Sequence, residues 1–78
     1  AFDPSARTIL VADRNNNRIQ IFSEEGDYRA HFATASCPYD VAVDEAGRIF
    51  VALSSHEIQA FDRSGKELCR WGKKGSDD

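Results

Sequence analysis

Few residues of this chain are of a type that does chemistry, and their spacing narrows what that chemistry can be. Cys37 and Cys69 stand far apart, with no C-x-x-C motif and no nearby histidine pair, so a structural zinc site is not expected. The two thiols could close one disulfide or stay reduced, and reduced is the expectation. Asp3, Asp13, Asp40 and Asp44 suggest calcium at first sight. They alternate with apolar residues, however, and no D-x-D-x-D-G loop occurs, so capping and turn roles are expected of them. No Ser/His/Asp or Cys/His set has a spacing that sets a nucleophile beside a base. Catalysis, a metal and a cofactor are therefore not expected from these residues.

Recognition chemistry remains. The stretch "RNNN", residues 14–17, places Arg14, Asn15, Asn16 and Asn17 between two apolar runs. Tyr39 follows Pro38, and "SSH", residues 54–56, ends on His56. Side chains of these types stack on bases or bond their edges, and Tyr and Arg anchor protein interfaces. Asparagine also tolerates left-handed backbone values and bonds local amides, so the plain reading of "RNNN" is a tight reversal. Beside it, Asp13 and Arg18 are expected to face each other across a hairpin and pair.

The elements that hold these residues are written twice. "ILVADRNNNRIQIFSEEGDYRAHF", residues 9–32, returns as "IFVALSSHEIQAFDRSGKELCRW", residues 49–71, with one residue fewer in the middle. Ile9/Ile49, Val11/Val51, Ala12/Ala52, Ile19/Ile58, Gln20/Gln59, Phe22/Phe61 and Gly26/Gly65 are identical, and Phe32/Trp71 are alike. A period of about 40 residues specifies a stacked architecture. Each unit reads as short strands between turns, because Val, Ile and Phe are punctuated by Gly, Asp and Ser. "ILVA" and "IFVAL" are continuous apolar runs, as in strands covered on both faces. "DYRAHF" alternates, with Tyr28, Ala30 and Phe32 expected on one face and Asp27, Arg29 and His31 on the other, as in a half-solvated outer strand.

Length and charge set bounds on this reading. With 78 residues the chain holds one small domain at most. A net charge of −3 gives no global basic signature for nucleic acid. No apolar run is long enough to span a bilayer, and no leader pattern is present. The sequence opens "AFDPSART" without methionine and so reads as a segment of a longer protein.

"PYDVAVDEAGRIFVALSSHEIQAFDRSGKELCRWG", residues 38–72, resembles an NHL repeat, named after an Asn-His-Leu triplet. Residues 9–32 resemble the second to fourth strands of the preceding repeat. His56 keeps the histidine of the triplet and Asn16 its asparagine, while the marks of a WD repeat are missing. The resemblance implies an all-β fold: two consecutive four-stranded antiparallel blades of a β-propeller, six-bladed in this family. Residues 1–32 would form the first blade with its inner strand truncated, 33–72 the second, and 73–78 a linker. The remaining blades would come from the parent chain, and without them apolar blade faces would be exposed.

Resemblance to the tripartite-motif NHL proteins implies a binding module. In propellers the loops between second and third strands gather with the blade connections on one face. That face would present Arg14, Asn15, Asn16, Asn17, Tyr39, Ser54, Ser55 and His56. A protein ligand is expected first and single-stranded RNA second, because Arg14 is the only formal positive charge supplied there. Such proteins carry RING, B-box and coiled-coil modules and act as ubiquitin ligases. This segment would then select substrate while catalysis lies outside it, in the cytoplasm. The alternative implied by the resemblance is a secreted, metal-dependent enzyme of the peptide-amidating lyase type, which holds zinc through histidines near the central channel. "YDVAVD", the only complete inner strand, has no histidine, which counts against it.

Overall fold

β-Branched and aromatic residues fill the apolar runs, and a Gly, Asn or His at positive φ stands at nearly every reversal, so the chain folds as successive hairpins. The computed structural model describes residues 1–72. Strands β1 (Phe2–Asp3), β2 (Thr8–Asp13), β3 (Arg18–Ser23) and β4 (Tyr28–Ala33) form one antiparallel sheet in chain order. Strands β5 (Pro38–Val43), β6 (Ile49–Leu53), β7 (Ile58–Phe61) and β8 (Glu67–Trp71) form a second sheet of the same order. The all-β expectation is met, and the inner strand of the first sheet is indeed short, two residues against six in β5. The expected linker at 73–78 lies outside the described residues.

Four of the turns share one construction. Gly26, Gly47, His56 and Gly65 each donate an amide to the carbonyl three residues back and each has positive φ, between 67° and 95°. This is a type I turn closed by a left-handed residue, which leads one strand into the next with the right twist. In the first sheet the β2–β3 connection is one residue longer. Arg14–Asn16 make a single 3-10 turn and Asn17 takes the left-handed position at φ 50°. The residue missing from the second copy is lost here, where a turn can absorb it without shifting the strands.

The core lies between the two sheets. Leu10 and Ile19 from the first sheet meet Val41, Ile49, Val51, Leu53 and Phe61 from the second, and Ala12, Ile21, Phe32 and Val43 pack around them. Phe32 and Phe61 stack at 4.5 Å between ring centroids. Strand pairing puts Leu10, Ala12, Ile19 and Ile21 on one flat of the first sheet and Ile9, Val11 and Phe22 on the other. Burial follows that division: Ile19 is 0% exposed and Val11 41%. The apolar runs were expected to be covered on both faces; within this chain each sheet covers one flat of the other, and the second flat of each stays open.

The outer strand corrects the alternation read from "DYRAHF". Phe22 pairs with Tyr28 and Ile21 with Ala30, so Arg29 is an extra residue in the ladder, a β-bulge. The bulge moves Tyr28 to the face of His31, away from Ala30 and Phe32. Tyr28 Oη and His31 Nδ1 share a hydrogen bond of 2.5 Å, and the Tyr28 ring meets Phe22 edge-on. Only Phe32 of β4 is partly buried.

Polar ties fasten the sheets at one end. Asp3, only 3% exposed, accepts the amides of Ser5 and Ala6 and is bridged by Arg63, whose Nε reaches Oδ2 at 3.1 Å. Arg63 crosses Gly47 so closely that a Cβ there would strike its guanidinium at 2.4 Å. Burial pushes the Asp3 carboxyl up, but the hydrogen bonds and charge of Arg63 outweigh it and hold it below the usual carboxylate range. Asp44 is likewise pushed up by burial and brought lower on balance by Arg48. Asp62 is lowered by the Ser64 hydroxyl and the Lys66 amide. These aspartates cap turns, the role expected from the sequence for Asp3 and Asp44.

Two outcomes are expected. Ile19→Ala should cost about 2–5 kcal/mol in urea unfolding, whereas Glu25→Ala, in an exposed turn, should stay within about 0.5 kcal/mol. A carboxyl whose folded pKa is lowered contributes stability that is present above its unfolded value, about 3.9, and is lost as pH falls through the folded value. Melting temperature should therefore drop between about pH 5 and pH 2, and Asp3→Asn should make that drop smaller.

Candidate functional site

The end of the sheets opposite the Asp3–Arg63 tie carries the β2–β3 turn, the β6–β7 turn and the connection between the sheets, residues 34–37. Arg14 leaves the first sheet at the start of its 3-10 turn and reaches across to the second. Its guanidinium carbon lies 5.2 Å from the centroid of the Tyr39 ring, a cation–π distance, and Nη2 approaches the Tyr39 carbonyl at 3.4 Å. Both side chains are exposed, Tyr39 at 55%. The pair is an aromatic plate with a cation over it, held by one residue from each sheet.

The neighbouring cation is not available in the same way. Arg18 donates Nε to Asp13 Oδ2 at 2.8 Å, and Asp13 faces Arg18 across the hairpin as expected. Asn16 Nδ2 and Gln20 Nε2 donate to the same carboxylate. The Arg18 hydrogen bond, with help from Asn16, holds Asp13 below its ordinary value. Asn16 is thereby spent inside its own turn. Asn17 supplies left-handed backbone and a carbonyl that accepts the Thr34 amide at 2.8 Å. Asn15 is exposed and projects from the 3-10 turn.

His56 is exposed and occupies the left-handed place that Gly26, Gly47 and Gly65 hold in the other turns. Its amide donates to the Leu53 carbonyl at 3.1 Å, and Gly72 packs so near that a Cβ would lie 2.7 Å from the His56 carbonyl oxygen. Asn17 and His56 are thus equivalent in shape as well as in the repeat. The structure brings Arg14 and Tyr39 together; Asn15, Asn17 and His56 lie on the turns at the same end without a side-chain bond to that pair among the described residues.

Gln59 has a role that its identity with Gln20 in the repeat does not by itself disclose. It is 5% exposed and its Oε1 accepts the Ala35 amide at 3.0 Å, clasping the connection between sheets. Thr34 Oγ1 donates to the Ser36 carbonyl, Ser36 Oγ to Ser55 Oγ, and Ser55 Oγ to Glu57. A polar residue repeated inside an apolar strand, as Gln20 and Gln59 are, was the available signal. Cys37 and Cys69 are free thiols. Among the described residues no group of three or more His, Cys, Asp or Glu could hold a metal ion.

Two four-stranded antiparallel meanders, equivalent in sequence and stacked flat to flat, define the chain as a repeat protein of the blade type. The NHL repeat family model matches residues 1–22. Protein brain tumor of Drosophila melanogaster is 36% identical over 74 residues, a match that takes in 82% of this chain and 7% of that relative. The chain is an NHL-repeat segment. It spans about 7% of the length of the curated relative it matches.

If Asn17 and His56 serve their turns, backbone and not side chain sets their cost. Asn17→Gly and His56→Gly should leave the unfolding free energy within about 0.5 kcal/mol, while His56→Val, forced to positive φ, should lose about 1–2 kcal/mol in the same measurement.

Proposed function

We propose that this chain is an interaction module that binds a protein segment at the loop end of its two blades, with Arg14 and Tyr39 as the anchors. The observation that carries this reading is the exposed Arg14–Tyr39 pair, which joins the two sheets on a rigid scaffold. Tyr and Arg are the residue types from which interface hot spots are built. A planar cation beside an aromatic plate suits a carboxylate or an aromatic side chain of a partner.

Charge favours protein over RNA. Arg18 is paired with Asp13, and the exposed Asp40 lies next to Tyr39 in β5. Single-stranded RNA needs several cations along its backbone, and this end offers Arg14 with carboxylates close by. In a longer chain carrying RING, B-box and coiled-coil modules, the same end would select the substrate of a ubiquitin ligase in the cytoplasm. That role is supported by the resemblance to tripartite-motif NHL proteins alone.

A displayed library of random peptides and a random single-stranded RNA pool, selected in parallel against the full chain, test the reading. Peptides with acidic or aromatic residues should enrich, and Arg14→Ala or Tyr39→Ala should weaken the selected peptide about tenfold, roughly 1.4 kcal/mol, with the melting temperature little changed. Enrichment of RNA with a steep salt dependence, or peptide binding indifferent to both substitutions, would exclude it.

A further inference from the structure

The inner strand of the second sheet is interrupted at the candidate site. Pro38 pairs with Leu53 and Asp40 with Ala52, so Tyr39 is an extra residue in the β5–β6 ladder. A regular strand would send Tyr39 and Asp40 to opposite faces. The bulge instead lets both stand outward between the buried Pro38 and Val41. Ring and carboxylate are therefore exposed neighbours on one face, at the end where Arg14 arrives from the other sheet.

Neither charge at this end is neutralised by the protein. Arg7, Arg18, Arg48, Arg63 and Arg70 each reach a carboxylate, whereas Arg14 goes to the ring and carbonyl of Tyr39. Asp40 accepts the Val41 amide through Oδ1 at 2.9 Å, which holds its carboxylate in place. Among the described residues no arginine or lysine pairs with Asp40, Arg14 included. Two opposite charges thus stand at consecutive stations, one carried on Tyr39 and one following it, and both remain open to a ligand.

We propose that this end is dipolar and selects a peptide segment with an acidic and a basic side chain close together, the acid taken by Arg14 and the base by Asp40. The inference rests on the peptide-binding reading above and narrows it. A carboxylate bonds the edge of the Arg14 guanidinium while the Tyr39 ring keeps that planar cation in position. A lysine or arginine of the same segment meets the Asp40 carboxylate. A purely acidic segment also satisfies Arg14, but it sets its second charge against Asp40, and that repulsion works against binding. Both charges are exposed, so they act on selectivity more than on raw affinity.

Selection of the displayed random peptide library on the full chain, on Asp40→Asn and on Asp40→Lys tests the proposal. Wild-type selection should enrich peptides with Lys or Arg near their acidic residue beyond the starting library. Asp40→Asn, which keeps an oxygen for the Val41 amide, should lose the basic preference and retain the acidic one. Asp40→Lys should enrich a second acid in place of the base. For one peptide selected on the wild type, changing its base to alanine and Asp40→Asn should each weaken binding about threefold, and both together no further. Acidic peptides enriched without a basic preference, or losses that simply add, overturn the dipolar site and leave the peptide-binding reading standing. A selection that enriches no peptide overturns both. Asp40→Asn decides the matter even if Asp40→Lys fails to fold.

Discussion

A four-stranded sheet this small has two apolar flats and cannot bury either alone, so flat-to-flat packing is the constraint on which the rest depends. Leu10 and Ile19 lie against Ile49, Val51 and Phe61, and this contact fixes the distance and angle between the sheets. Three of the contacts described depend on that junction. Arg14 reaches Tyr39 from one sheet to the other, Arg63 reaches Asp3, and Gln59 holds the Ala35 amide of the connection. Separate the flats and the loop end loses the aromatic–cation pair, because its halves belong to different sheets.

Much of the fold was legible because the repeat states it twice. Identities at Ile9/Ile49, Val11/Val51 and Phe22/Phe61 fix strand positions, and the turn glycines fix where the strands reverse. Pairing between Asp13 and Arg18 was legible too, since local hairpin geometry needs no knowledge of the other sheet. The alternation of "DYRAHF" misled because a period of two assumes an unbroken ladder. The extra residue at Arg29 shifts everything before it to the opposite face, and no residue type in β4 announces a bulge.

At the candidate site the sequence indicated which residues sit at the loop end and not which of them meet. Asn16, Asn17 and His56 are committed to their turns by local forces, which a tight-reversal reading anticipates. The Arg14–Tyr39 contact depends on how the connection brings β5 beside the β2–β3 turn, a tertiary fact without a local signature. The Asp3–Arg63 bridge, between residues near opposite ends of the chain, is of the same kind. The four aspartates that hint at calcium in the sequence are instead taken up: Asp3 and Asp44 by turn amides and arginine, Asp13 by Arg18, and Asp40 by the Val41 amide.

The bulge in β4 recurs at the equivalent place in β8, where Leu68 is the extra residue between Cys69 and Glu67. Both lie on the outermost strand, the one with a free row of amides and carbonyls. A long, flat margin of that kind is a template for sideways growth of sheet upon sheet, the route to fibrils. An interrupted ladder with Arg29 and His31 along one margin and Glu67 and Arg70 along the other cannot zip continuously to a second strand. At the inner margin β1 is only two residues long and β5 begins with Pro38, which lacks an amide hydrogen. These features disfavour lateral zippering at the margins of the two described sheets.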